Sequence, residues 1–253
     1  ANKFSLDDKS AKSTKIIIHL VEDKPIEDVP TAWLKLYLLS LRFFKPNELS
    51  FENIFSVLPN IAWTNKGPLR AEGLESTVAD EDFKLYAIDK FPPMTDYIVP
   101  KGVRIADSSR VRLGAYLGEG TTIMHEGFVN YNAGTEGPNM IEGRISAGVF
   151  IGKDSDLGGG SSTMGTLSGG NKEVIKVGER CLLGANSGIG ISLGNDCIVE
   201  AGLYLTAGTK VTVLENNKVL KALELSGKNG ILYFRDSLSG KVCARPNKGN
   251  FKL

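Results

Sequence analysis

Residues 105–129 read IADSSRVRLGAYLGEGTTIMHEGFV, and an aliphatic side chain recurs in them at Ile105, Val111, Leu117, Ile123 and Val129. The step is six residues. An amphipathic helix repeats near 3.6 residues and a half-buried strand at two, so neither explains it. Outward from this stretch the series begins at Val99 and resumes, after an interruption, at Ile145, Ile151 and Leu157. Val177, Leu183 and Ile189 follow in a shifted phase, and Leu193, Val199, Leu205 and Val211 close it. Glycine often follows the aliphatic, as at Gly118, Gly152, Gly158, Gly178, Gly184 and Gly194. A second small residue often stands four positions after it, as at Thr121, Ser155, Ser161, Cys181, Ser187, Cys197 and Thr209. A short repeat of fixed period is the mark of a solenoid.

Six residues make one flat face and one corner, so three hexads make a triangular coil. The aliphatic and the second small residue point into the prism. Glycines take the corners, where tight turning or positive φ favours them. Coils then stack about 4.8 Å apart through parallel backbone hydrogen bonds, each buried only against its neighbours. A helical reading fails on glycine alone, which costs about 1 kcal/mol relative to alanine at each interior position.

Composition fits this and excludes other classes. The chain has 253 residues, enough for one large domain or two modest ones, and its 29 glycines exceed average usage. A net charge of +1 argues against a nucleic-acid protein, and no apolar run approaches the ~20 residues of a membrane span. Residues Ala1 to Lys15 are polar and charged, unlike a secretory leader, and the missing initiator methionine suggests trimming from something longer. Cys181 and Cys197 fall on inward positions, so buried free thiols and a reducing cytoplasm are expected.

Three units are expected: a small α/β domain over residues 1–96, the solenoid over 97–213, and a β-rich cap over 214–253. Within the first, residues 1 to about 14 read as a polar lead. Ile16 to Ile18 read as a short strand ending at Val21. Pro30-Thr31 precedes a helix from Ala32 to Phe44 with an apolar stripe of Leu34, Leu38 and Leu41, stopped by Pro46. A second helix starts at Ser50-Phe51-Glu52-Asn53. Trp33 and Trp63 read as core anchors. The solenoid has two polar, glycine-rich interruptions, Asn130–Gly143 and Met164–Val174, expected to loop out, and a tightened corner near Gly190. Strands are expected at Thr212–Leu214, Val219–Leu225, Ile231–Arg235 and Val242–Arg245, covering an end whose unpaired edge would invite aggregation.

The informative motifs are HEGFVNYNAG at 125–134, MIEGRISAG at 140–148, GGGSS at 158–162, GTLSGG at 165–170 and LGANSG at 183–188. Together they resemble the tetrahydrodipicolinate N-succinyltransferases, in the branch known from actinobacteria and some other bacteria. The resemblance runs from about Lys101 to Val211 and continues weakly through the tail. It implies a left-handed parallel β-helix, the exception to right-handed parallel crossovers, assembled as a homotrimer with sites between neighbours. It implies transfer of a succinyl group from succinyl-CoA to the amino group of tetrahydrodipicolinate, on the route to diaminopimelate and lysine. By this resemblance Glu142 is the catalytic glutamate. Arg144, Gly159, Ser162, Ala185, Glu200, Ala201 and Gly208 line the succinyl-CoA channel, with Lys221, Arg235 and Ser237 of the tail beside them. Glu126 falls on a magnesium site at the threefold axis, but its aspartate partner is replaced by Ser109. Asp107 lies close by, and an axial water cluster is the alternative.

The residues themselves support part of this. Acyl transfer to an amine needs a proton acceptor or a nucleophile that carries the acyl group, and a carboxylate can be either. Arg144 has the planar fork that suits a succinyl carboxylate, and backbone amides of Gly158-Gly159-Gly160 suit an oxyanion. The plain alternative for Glu142 is a solvated loop acid. His125 is the rival base, with a structural role at a subunit contact as its alternative. Another CoA-dependent acyltransferase of the same fold is the second functional reading, since fold does not fix function. A solenoid carbonic anhydrase would need three histidines, and only His125 lies in the solenoid. An ice-binding solenoid would show a threonine ladder, and none is present.

Overall fold

The computed structural model describes residues 16–72, 74, 82–169 and 172–247. The expected polar lead lies outside the described residues. Coil by coil, the repeat region visits three faces. The first stacks Arg104–Ile105, Thr121–Ile123, Asn139–Ile141, Asp156–Leu157, Leu182–Leu183 and Ile198–Val199. The second stacks Phe128–Val129, Arg144–Ile145, Ser162–Thr163, Gly188–Ile189 and Tyr204–Leu205. The third stacks Tyr116–Leu117, Gly134–Thr135, Phe150–Ile151 and Lys176–Val177. All these pairings are parallel and in register, as Leu157 to Leu183 to Val199 illustrates. The inward column is the core: Val111, Leu117, Ile123, Val129, Ile141, Ile145, Ile151, Leu157, Leu183, Ile189, Val199, Leu205 and Val211 are wholly buried. Val99 does not join it and stands exposed before the first coil.

The phase of the repeat differs from the sequence reading at one place. The stretch Asn130–Gly143 is wall, not a loop: Gly134–Thr135 and Asn139–Ile141 are strands of it. Thr135 occupies an aliphatic position, fully buried, with its hydroxyl bonded to that of Thr121 at 2.8 Å inside the prism. A hydroxyl satisfied by another hydroxyl fills the core as an aliphatic would, and so hid the hexad. The shift lies instead between Ile141 and Ile145, where the corner from first to second face is shortened to Glu142-Gly143. A like shortening between Ile189 and Leu193 matches the corner expected near Gly190, with Leu193 bridged to Val177. The second interruption does leave the wall. Thr166 bridges Val174, Leu167 N–H donates to Glu173 O, and Ile175 N–H donates to Gly165 O.

Before the coils, helix α1 spans Val29–Ser40, capped by Asp28, whose carboxylate accepts from Thr31 N–H at 2.7 Å. It begins and ends earlier than expected, because Arg42 turns into the left-handed region at φ 65°. Its buried side is Ala32, Leu36 and Leu39 with Lys35 and Ser40, not Leu34, Leu38 and Leu41. Two polar residues on the inner side misled the pattern, and both are satisfied there. Lys35 donates to the carbonyls of Lys24 and Ser50 and pairs with Asp23 at 2.7 Å. Ser40 Oγ accepts from Gly114 N–H at 2.8 Å, tying the helix to the first coil. Leu34, Leu38 and Leu41 instead line an outer apolar groove of about 710 Å³. The expected strand at Ile16–Val21 has no regular structure and, among the described residues, no partner strand. The second helix shrinks to α2, Ile54–Val57. Strands β1 (Ile61–Thr64), β2 (Gly67–Arg70) and β3 (Leu85–Asp89) form an antiparallel sheet in the order β2-β1-β3. Trp63 is buried on it and packs with Trp33 and Tyr97, as core anchors should.

The C-terminal segment continues the first face. Ile231–Arg235 pairs in parallel with Ile198–Val199, which puts Tyr233 into the prism. Val242–Pro246, Lys210–Val213 and Lys218–Lys221 extend the same sheet. The strand expected over Val219–Leu225 stops at Lys221, and Ala222–Leu225 is a 3-10 turn with Ala222 and Leu225 buried.

Candidate active site

The corner between the first and second faces repeats in five coils, and its column of residues is Glu126, Glu142, Gly159, Ala185 and Glu200-Ala201. The stacking is explicit in the backbone. Phe128 N–H donates to Gly143 O at 3.0 Å and Arg144 N–H to Ser161 O at 2.8 Å. Asn186 N–H donates to Gly159 O and Gly202 N–H to Ala185 O, both at 2.8 Å. Shortening the corner to two residues leaves Glu142 no loop to follow, so its side chain leaves the prism directly from the wall.

Two carboxylates converge beside Gly159. A Cβ on that residue would stand 3.3 Å from Glu126 Oε2 and 3.9 Å from Glu142 Oε2. Glu126 therefore reaches along the corner past the coil that carries Glu142. Arg110 steadies its base, donating to the carbonyls of Glu126 at 2.9 Å and Gly127 at 3.2 Å. Neither carboxylate has a hydrogen-bond or ion-pair partner among the described residues, and Glu142 is half-buried. Beneath them, Ser161 and Ser187 are buried with no partner for their hydroxyls among the described residues. These were read only as inward spacers.

The expected oxyanion donors narrow to one. Gly158 N–H donates to Leu183 O at 2.8 Å and Gly160 N–H to Glu142 O at 3.4 Å, so both are engaged within the wall. Gly159 N–H has no acceptor among the described residues and lies beside the two carboxylates.

On the adjoining second face, Arg144 and Ser162 come together: Arg144 Nε and Nη2 donate to Ser162 Oγ at 3.2 and 3.0 Å. Arg144 is exposed, so the rest of its fork faces outward. Gly208 and Lys221 meet at the far corner of the same face, where Ala222 N–H donates to Thr209 O at 2.8 Å. Glu200 and Arg235 meet at the near corner, but in a structural role. Glu200 Oε2 accepts from Arg235 N–H at 2.8 Å, and Arg235 Nη1 donates to Gly240 O at 2.9 Å. Ser237 is exposed in the turn that follows. The face also presents Tyr204, which the sequence reading passed over.

The metal reading finds little support within one chain. Magnesium asks for near-octahedral oxygen ligation. Ser109, at the aspartate's place, donates its hydroxyl and its N–H to Asp107 Oδ1 at 2.7 and 2.9 Å. Those bonds, with Arg110 and His125 nearby, hold the Asp107 carboxyl below the ordinary range. Among the described residues no cluster of three metal-ligating side chains forms. A site on the threefold axis would draw on Glu126 from three copies, with Asp107 held by Ser109 beside it. His125 is exposed beside Glu126.

Comparison with known proteins agrees with the geometry. A profile described as "Tetrahydrodipicolinate N-succinyltransferase middle" matches residues 58–92, which include the β2-β1-β3 sheet. A second, "Hexapeptide repeat of succinyl-transferase", matches residues 174–207. A 2,3,4,5-tetrahydropyridine-2,6-dicarboxylate N-succinyltransferase of Pseudomonas putida is 59% identical over 92% of this chain and 71% of its own length. A Vibrio cholerae protein of the same name is 49% identical over 96% of this chain and 74% of its own. A solved Campylobacter jejuni structure, described as a 2,3,4,5-tetrahydropyridine-2-carboxylate N-succinyltransferase, superposes with a TM-score of 0.86 at 40% identity. It covers 90% of this chain, which spans 65% of that one. The fold is thus the left-handed parallel β-helix of hexapeptide transferases. With motifs, coil and corner all in agreement, the chain belongs to the tetrahydrodipicolinate N-succinyltransferase family.

Proposed function

We propose that the second face and its two bounding corners bind succinyl-CoA, and that Glu142 takes the proton of the acceptor amine during succinyl transfer. The acceptor is tetrahydrodipicolinate as L-2-amino-6-oxopimelate, and the reaction belongs to diaminopimelate and lysine biosynthesis. The observation that carries this reading is the Glu142 carboxylate: half-buried, without a hydrogen-bond or ion-pair partner among the described residues, beside Gly159 and two residues before Arg144.

The amine nitrogen attacks the thioester carbon, and the new N–C bond forms as the C–S bond breaks. The nitrogen's proton passes to Glu142, and Glu142 hands it to the departing sulfur, which leaves as the CoA thiol. A positioned carboxylate contributes about 10²–10⁴-fold in such a step. Gly159 N–H meets the oxyanion. Arg144 holds the succinyl carboxylate through its planar fork, and Lys221 at the far corner draws the CoA phosphates.

One solenoid leaves this face open on the outer side, and a neighbouring copy completes it. The first face offers a surface for such packing: it turns Met140, Leu182, Ile198 and Leu232 outward with Met140 and Leu182 exposed, and the one carboxylate between those two, Asp156, accepts from Met140 N–H at 3.1 Å. The family resemblance implies a homotrimer, and this surface is where copies would pack. Free, buried Cys181 and Cys197 suit a reducing cytoplasm. Among the described residues no helix is long and apolar enough to cross a membrane.

The test is CoA thiol release from succinyl-CoA with L-2-amino-6-oxopimelate, with acetyl-CoA as control donor. Wild type is expected to turn over the succinyl donor. Glu142→Gln is expected to keep its melting temperature and lose about a hundredfold or more in kcat. Normal turnover by folded Glu142→Gln would remove Glu142 from the mechanism.

A further inference from the structure

The second face carries an arrangement that the reaction as described leaves unused. Its outward column runs Arg144, Ser162, Gly188, Tyr204, each paired with the next across adjacent strands. Ser162 and Gly188 point away from the prism and are nevertheless buried. They are covered from opposite directions. Arg144 folds along the axis onto Ser162 through two hydrogen bonds. Tyr204 folds the other way, and its ring carbons occupy the place a Cβ on Gly188 would take. Only glycine at 188 lets the ring lie flat against the wall. The guanidinium therefore lies over the Ser162 rung and the ring over the Gly188 rung, and adjacent rungs are about 5 Å apart along the axis. The ring remains 43% exposed, and its hydroxyl has no partner among the described residues.

We infer that Tyr204 sets the length of the acyl chain the site accepts. This rests on the succinyl-CoA reading given above. With the chain's terminal carboxylate on Arg144 and its thioester carbon at the Glu142 corner, the intervening methylenes run beside the Arg144–Ser162 pair. An added methylene must bow along the wall toward Gly188, and the Tyr204 ring stands there. Tyr204 is thus a specificity residue that touches the donor, while Glu142 does the proton transfer.

The experiment compares kcat/KM for succinyl-CoA and glutaryl-CoA, which differ by one methylene, in wild type and three variants. Tyr204→Ala removes the ring. Gly188→Ala leaves Tyr204 in place and lifts its ring off the wall; position 188 lacks positive φ, so alanine suits its backbone. Tyr204→Phe keeps the ring. The glutaryl-to-succinyl ratio is expected to rise about tenfold or more in the two alanine variants and to stay at the wild-type value in Tyr204→Phe. A purely structural role would lower both donors together and leave the ratio fixed, and melting temperatures identify a variant that has lost its fold. An unchanged ratio in both alanine variants, with wild type active on succinyl-CoA, overturns the inference and leaves the proposed function standing. Wild type inactive on succinyl-CoA overturns both.

Discussion

Gly159 shows how much of this site depends on a side chain that is not there. Its φ is not positive, so alanine is conformationally acceptable, and what glycine supplies is room. A methyl group at 159 would press on Glu126 Oε2 and touch Glu142 Oε2. Displacements of about 1 Å near reacting groups can cost a hundredfold in rate. Gly159→Ala is therefore expected to melt within a few degrees of wild type and to lose about ten- to a hundredfold in kcat, read by thiol release. Unchanged kcat would mean that the two carboxylates can shift freely. The residue types were legible in the sequence, because the motif strings name Glu142, Arg144, Gly159 and Ser162 directly. Their roles were less so. Glu200 and Arg235 share a backbone latch that no spacing reveals, and two of the three glycine amides serve the wall. Tyr204 escaped notice because an outward tyrosine in a repeat carries no signal until the glycine beneath it is known to be its neighbour.

Helix α1 makes the same point for elements. Its inner and outer sides are both apolar enough to serve as a core face, and Lys35 and Ser40 tip the pattern toward the wrong one. Only the tertiary partners of those two residues decide the matter. Asp23 is central among them. Burial alone would raise its pKa, but the hydrogen bonds from Lys35 and Ser50 N–H outweigh that and hold it below the ordinary carboxylate value of 3.8. A depressed folded-state value means stability that is full above the unfolded value and lost as pH falls through the folded one. The N-terminal unit, read by Trp33 and Trp63 fluorescence, is therefore expected to lose stability as pH drops below about 4. Asp23→Asn should flatten that acid limb while lowering stability at neutral pH, and an undiminished limb would mean that other carboxylates control it. The hexads were plainly legible, since their period has no other explanation. The one misplaced phase came from Thr135, whose hydroxyl is satisfied inside the prism by Thr121.

The first face of the prism turns Met140, Leu182, Ile198 and Leu232 outward around Asp156, and a lone copy leaves these side chains open to water. Sedimentation is expected to give about three times the 27.3 kDa of one chain. Leu182→Glu sets a second carboxylate beside Asp156, where the two repel, and is expected to yield folded monomers with little activity. A fully active monomer would mean that one chain holds a complete site. Assembly was the least legible level, because the outward residues of a solenoid obey no repeat. The tight corner at Glu142-Gly143 has one more consequence. Its backbone is bonded on both sides, Glu142 N–H to Leu157 O and Gly143 O from Phe128 N–H, with no hinge between strand and strand. The acid group is mounted like an anvil. Whatever moves during a catalytic cycle is then the bound thioester or an adjoining copy, because the wall at this corner has no joint at which to bend.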